Sequence, residues 1–159
     1  ALIDDDFILW ESYAILQYAA EKVGNTNAYP TDIRTRADIN RWLLWESSSW
    51  FGSCYVYLVE NCVKPLLGDT TDESILANEQ ENFHKLASIL DARLKNSTFL
   101  CGEEPTIADV AVAAPMHLHG WAKLPLGDHP NLIRWMTKEI ENCSWWKETH
   151  IGEGFTVSE

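Results

Sequence analysis

The chain has 159 residues, 46% of them hydrophobic and 23% charged, with 24 acidic residues against 12 basic ones and a formal net charge of −12. That length buries about two-thirds of the unfolded surface, enough for a sizeable core. The acidic excess excludes a nucleic-acid backbone and an anionic membrane surface as partners, because each demands a basic face. A small anion can still be held by local N–H groups, since net charge says nothing about one pocket. Cys54, Cys62, Cys101 and Cys143 form no Cys-x-x-Cys pair and no Cys/His cluster at zinc spacing. Cys54 and Cys62, at i and i+8 of one predicted helix, stand about 12 Å apart along its axis, too far for a disulfide. Reduced, mostly buried thiols in a cytosolic protein are expected, with no signal peptide and no membrane-length apolar run.

Ala1-Leu2-Ile3 reads as a strand, Asp4-Asp5-Asp6 as a hairpin turn, and Phe7 to Trp10 as the returning strand. A lone two-stranded hairpin is marginal in water. Its exposed edge predicts association or instability unless a further strand pairs with it. The hairpin runs directly into a helix, in which Ala14, Ile15, Tyr18 and Ala19 share one stripe. Glu11 and Ser12 sit at that junction. Ser12 beside the unpaired N–H groups of a helix start suits a carboxylate or phosphate, although plain helix capping is the commoner role of a Ser at such a junction.

Gly24-Asn25-Thr26-Asn27 stops this helix, and Tyr29-Pro30-Thr31-Asp32 makes a linker and a new start, with Thr31 or Asp32 as cap. Everything beyond reads helical. The second helix is predicted from about Asp32 to Val63, stopping before Pro65. Trp42, Trp45, Trp50 and Phe51 crowd its middle, and Ser47-Ser48-Ser49 with Gly52 predict a bend there. These aromatics suit either a cleft wall, with the small polar residues admitting a ligand, or core and subunit packing. The third helix, about Asp72 to Lys95, places Phe83, Leu86, Ala87, Leu90 and Leu94 on one stripe and leaves His84 off it, at the surface.

Thr106 and Asp109 form a capping box of the Thr-x-x-Asp type, with Ile107, Val110, Ala111, Ala114 and Leu118 as the buried stripe behind it. The near-continuous apolar run from Val110 to Ala114 marks a central core helix, so Asp109 folds the domain and does no chemistry. His117 and His119, at i and i+2, do not share a helix face, and no carboxylate or Cys sits at ligand spacing, so no metal is expected. The tail from Gly152 to Glu159 frays or lies over the cleft.

Asp6-Phe-Ile-Leu-Trp-Glu-Ser-Tyr-Ala-Ile-Leu-Gln-Tyr18 resembles the glutathione transferase signature that ends the family's thioredoxin-like domain. Phe99-Leu100-x-Gly102-(x)3-Thr106-Ile107-Ala108-Asp109 is similar to the start of the core helix in that family's all-helical C-terminal domain. Tyr29-Pro30-Thr31-Asp32, Trp42-Leu43-Leu44-Trp45 and His129-Pro130-Asn131-Leu132-Ile133-Arg134-Trp135 fit the same pattern in the same order. The resemblance covers nearly the whole chain. It implies a mainly α fold: a β-hairpin and helix remnant of a thioredoxin-like α/β domain over residues 1–27, then a helical bundle of the glutathione-transferase C-terminal type over 31–159.

By the same resemblance Glu11 and Ser12 hold the γ-glutamyl end of glutathione, the co-substrate, and Trp42, Trp45, Ser49 and Trp50 line the pocket for an apolar electrophile. The family's catalytic Tyr, Ser or Cys and its cis-proline lie upstream of these motifs, so no catalytic residue is assigned. The implied reaction is attack by the glutathione thiolate on the electrophile, in a cytoplasmic homodimer packed through the second and third helices. The alternative is a non-catalytic interaction module, as in elongation factor gamma subunits and synthetase-associated domains.

Overall fold

The computed structural model describes residues 1–24 and 27–149. Asn25, Thr26 and the tail from Gly152 to Glu159 lie outside the described residues. Strands β1 (Leu2–Asp4) and β2 (Phe7–Leu9) pair antiparallel with Asp4 opposite Phe7. The turn between them is Asp5-Asp6, and Asp5 takes φ 53°, a left-handed backbone that Asp tolerates. Helix α1 (Ser12–Lys22) follows, and Gly24 closes it at φ 68°. The Tyr18 hydroxyl and the Lys22 ammonium of α1 both donate to the Asp4 carboxylate, which ties the hairpin to the helix. Ile3, Ile8 and Trp10 remain exposed on the hairpin.

The predicted second helix is one continuous rod with two wide turns in it. Helix α2 (Ile33–Trp45) is capped by Asp32, whose carboxylate accepts from Thr35 N at 2.9 Å. A π turn over Glu46–Trp50 leads into α3 (Phe51–Leu58), and a second over Val59–Val63 leads into α4 (Lys64–Leu66). The expected bend in the Ser-rich stretch is therefore a π turn, the form in which an extra residue is absorbed into a helix. The expected stop before Pro65 is corrected: the rod runs through it to Leu66. A π turn shifts the bonding register and leaves a carbonyl without its helical N–H, so a residue lacking an N–H costs little there. The Glu60 carbonyl accepts instead from Thr71 Oγ1 at 2.8 Å.

Helix α5 (Glu73–Leu94), capped by Asp72, buries the predicted stripe of Phe83, Leu86, Ala87, Leu90 and Leu94. An aromatic column joins it to the rod. Trp50 packs on Phe83 at 5.2 Å between ring centres, and Tyr57 meets Phe83 edge-on at 5.1 Å. Helix α6 (Ile107–Ala113), continued by a tighter turn over Ala114–Met116, runs through the middle of the bundle. Its stripe departs from expectation at one edge: Ala111 is buried, whereas Val110 is half-buried and Ala114 exposed, because that edge faces a cleft. Helix α7 (Pro130–Arg134), a third π turn over Trp135–Ile140 and α8 (Ser144–Thr149) complete the described chain.

His84 is not a surface residue. It is half-buried, and its Nδ1 lies 2.9 Å from Nε2 of the buried His129, the residue that precedes α7. Seven residues along α5, Asp91 accepts from Asn131 N at 2.7 Å and Leu132 N at 3.1 Å, capping α7 from a neighbouring helix. One face of α5 thus anchors the start of α7. No helix among the described residues is long and apolar enough to cross a membrane.

Candidate functional site

The N-terminus of α1 is open. Glu11 occupies the cap position with φ 74° and ψ 120° and makes no side-chain cap bond, while its carbonyl accepts from Ile15 N at 3.0 Å. Ser12 is the first helical residue rather than the cap, so the plain capping role weighed for its hydroxyl is not the one it plays here. A non-glycine residue at positive φ costs of order 1–3 kcal/mol, a strain that clusters at ligand sites. The result is a row of unsatisfied N–H groups, with the partial positive charge of a helix start, beside an exposed hydroxyl.

Ser12 lies on the wall of a cleft of about 590 Å³. Helix α1 supplies one side through Tyr13, Ile15 and Leu16. The rod supplies the second through Glu46, Phe51, Tyr55 and Leu58, with the rings of Phe51 and Tyr55 stacked at 5.4 Å. The third side is α6 and the turn after it, through Val110, Ala111, Ala114, Pro115 and His117. The walls are apolar apart from Ser12, Glu46, His117 and the tyrosine hydroxyls, a composition suited to an apolar ligand with a few orienting contacts.

Glu46 is the unusual member. It is 1% exposed, and its Oε2 has no hydrogen-bond partner among the described residues. Burial pushes its carboxyl up to about 7. Nothing in a sequence reading singles out Glu46, because a lone Glu in the middle of a helix is ordinarily solvated. Its burial comes from α6 packing across the π turn.

Glu11 and Ser12 therefore stand together at one end of the cleft, but the four predicted pocket residues do not join them. Trp50 is fully buried in the core and donates from Nε1 to the Val112 carbonyl at 3.1 Å. Trp42 and Trp45 meet edge-on at 5.4 Å and face a separate hollow of about 330 Å³ with Arg41, Ile89 and Arg93. Ser49 is half-buried and belongs to neither lining. The reason is helical phase. Ile39, Trp42, Leu43, Trp50, Cys54 and Tyr57 form the row that faces the core, and the cleft takes the neighbouring row of Phe51, Tyr55 and Leu58. Both rows are aromatic, so composition alone does not separate them.

The capping box is present. Thr106 Oγ1 accepts from Ala108 N at 3.3 Å, and Asp109 Oδ2 accepts from Thr106 N at 2.9 Å. Asp109 Oδ1 additionally accepts from Leu100 N at 2.8 Å and from Trp135 Nε1 at 3.2 Å. Asp109 is a buried joint between a loop and two helices, and it lines none of the described cleft.

The four thiols are free, and burial pushes each of them up, Cys101 to about 12. None is a thiolate near neutral pH, so none is poised as a nucleophile. His117 turns Nδ1 to the Ala114 carbonyl at 2.9 Å, while His119 pairs with Glu141 at 2.9 Å, so the two imidazoles serve different neighbours.

Comparison with known proteins shows the family of the chain. Residues 55–142, more than half of the chain, match the family model described as glutathione S-transferase, C-terminal domain. Glutathione S-transferase D7 of Drosophila melanogaster is 29% identical over 154 residues, which cover 92% of this chain and 63% of that protein. A glutathione S-transferase of Hyoscyamus muticus is 30% identical over 151 residues, covering 92% of this chain and 71% of the relative. The crystal structure of glutathione transferase F2 from Populus trichocarpa superposes with a TM-score of 0.82 at 27% identity, covering 92% of this chain and 70% of that one. The chain thus spans under two-thirds of the fruit-fly relative. An α-helical bundle that keeps the matched helical domain around the Thr106–Asp109 joint, and carries the same relatedness through its N-terminal hairpin and α1, belongs to the glutathione S-transferase family.

Proposed function

We propose that this chain carries the γ-glutamyl half-site and the electrophile cleft of a glutathione transferase that joins the glutathione thiolate to an apolar electrophile. The observation that carries the reading is the open N-terminus of α1, with Glu11 strained at its cap and Ser12 on the rim of an apolar cleft. The Ser12 hydroxyl and the first N–H groups of α1 hold the γ-glutamyl carboxylate, where the helix dipole favours an anion. Glu11 steadies the same end of the tripeptide, and its backbone fixes the direction in which α1 presents those donors. Phe51, Tyr55, Leu58 and Val110 take the body of the electrophile. Holding both reactants in one cleft turns a bimolecular encounter into a positioned one.

Residues 1–27 are read as the end of a thioredoxin-like domain and 31–159 as the helical domain. The working form is read as a cytoplasmic homodimer, to which the hollow at Trp42 and Trp45 and the exposed Leu44 and Ile89 offer apolar contact.

The test is a calorimetric titration of the chain with glutathione, beside Ser12→Ala. Removing the hydroxyl deletes a hydrogen bond to a charged group, worth about 1.5–3 kcal/mol, so affinity is expected to fall at least tenfold. Binding that is unchanged by the substitution overturns the assignment of Ser12. A folded chain that binds no glutathione overturns the half-site.

A further inference from the structure

Glu46 is a buried carboxyl that nothing in the cleft answers. Its Oε2 is buried without a donor, and the described residues lining the cleft include no Lys or Arg. A buried acceptor left unpaired is expensive, and a donor on a bound ligand would remove that cost. The rest of the wall says what else that ligand carries. Phe51 and Tyr55 present a stacked pair of rings, and Leu58, Val110 and Ala114 continue the apolar surface. Aromatic faces attract a cation as well as an apolar body. The chain's net charge of −12 also favours the approach of a positive ligand.

We propose that Glu46 selects the second ligand of the cleft: an aromatic or aliphatic body bearing a primary or secondary ammonium group, whose N–H donates to Glu46 Oε2 while the body packs on Phe51 and Tyr55. This rests on the cleft being that of a transferase and names the chemical class of its electrophilic substrate, an apolar molecule with an amine rather than a bare hydrocarbon. The titratable groups around Glu46 are Tyr13 of α1, Cys54 and Tyr55 of α3, and His117 after α6. Glu79 of α5 is engaged by Ser53, and Asp109 of α6 is engaged by Leu100, Thr106 and Trp135. None of these supplies a fixed positive charge.

The experiment is a calorimetric titration of the whole chain with 2-naphthylmethylamine and with its neutral counterpart 2-naphthylmethanol. At pH 8 the amine is expected to bind at least tenfold more tightly than the alcohol. At pH 5.5 that preference falls by about tenfold or more, because the carboxyl must release a proton to form the pair. In Glu46→Gln the preference disappears. At pH 6.5, amine binding to the unsubstituted chain releases a proton, read by comparing buffers of different ionisation enthalpy, and this arm stands even if Glu46→Gln does not fold. Equal affinity for amine and alcohol overturns the proposal, as does a preference that survives Glu46→Gln. Proton release on binding glutathione alone, with the amine then excluded, assigns Glu46 to the tripeptide and also overturns it. Amine selectivity in a folded chain that binds no glutathione supports the role of Glu46 and overturns the transferase reading, so the two failures are distinct.

Discussion

Asp109→Ala is expected to destabilise the chain by roughly 3–5 kcal/mol, the scale of losing one partner of a buried charged network. The substitution strands four donors at once: Leu100 N, Thr106 N, Thr106 Oγ1 and Trp135 Nε1 all lose their acceptor in the interior. Each buried donor left unsatisfied costs about 1–3 kcal/mol, offset in part by the relief of burying a carboxylate. Burial does push the Asp109 carboxyl up, yet it accepts four hydrogen bonds from Leu100, Trp135 and Thr106. Asp109→Asn keeps the shape and one acceptor oxygen but turns an amide toward Thr106 N, so an intermediate loss is expected. Urea unfolding of the two variants checks the order. A loss under about 1 kcal/mol for the Ala variant would mean that the joint between the Leu100 loop, α6 and α7 is held by packing alone.

Glu46→Gln is expected to do the opposite, with an effect that grows as pH rises from about 4.5 and is complete above about 7. Burial raises the Glu46 carboxyl from its ordinary value of 4.5 to about 7. Between those two pH values the folded chain keeps a proton that the unfolded chain has lost. The folded state is therefore progressively disfavoured as pH rises through this window, and the penalty is complete above it. A shift of that size corresponds to roughly 3 kcal/mol. Gln does not titrate, so at pH 8.5 the variant should be more stable than the unsubstituted chain by an amount of that order, and near pH 4.5 the two should coincide. Equilibrium unfolding at the two pH values tests it. An equal effect at both would show that packing rather than ionisation governs the position.

Both predictions bear on how much of this molecule its sequence discloses. The hairpin, α1, the apolar stripe of α5 and the Thr106–Asp109 box follow from local rules, because each is fixed by residues within one or two turns of one another. What escapes is decided across the bundle. Pro65 reads as a stop until the π turn over Val59–Val63 and the Thr71 hydroxyl at the Glu60 carbonyl are seen to remove its cost. His84 lies off the stripe of its own helix, and only the docking of α7 places His129 against it. The Glu11-Ser12 junction is legible as a helix start, and the structure leaves that start without a side-chain cap. The aromatic crowd of the rod was legible as a wall, but not which of its two rows met the cleft. Glu46 escaped entirely, since its burial depends on α6 lying across the π turn that carries it.

The most direct test of the account is a nuclear magnetic resonance titration of the isotopically labelled chain with S-benzylglutathione, a conjugate that carries both ends of the proposed ligand. The account predicts concerted shifts at two places: the amides of Ser12, Tyr13 and Ala14, where the γ-glutamyl carboxylate sits, and those of Phe51, Tyr55, Val110 and Ala114, where the benzyl group packs. Shifts that leave the start of α1 untouched, or that gather around Trp42, Trp45 and Arg93 instead, would contradict it.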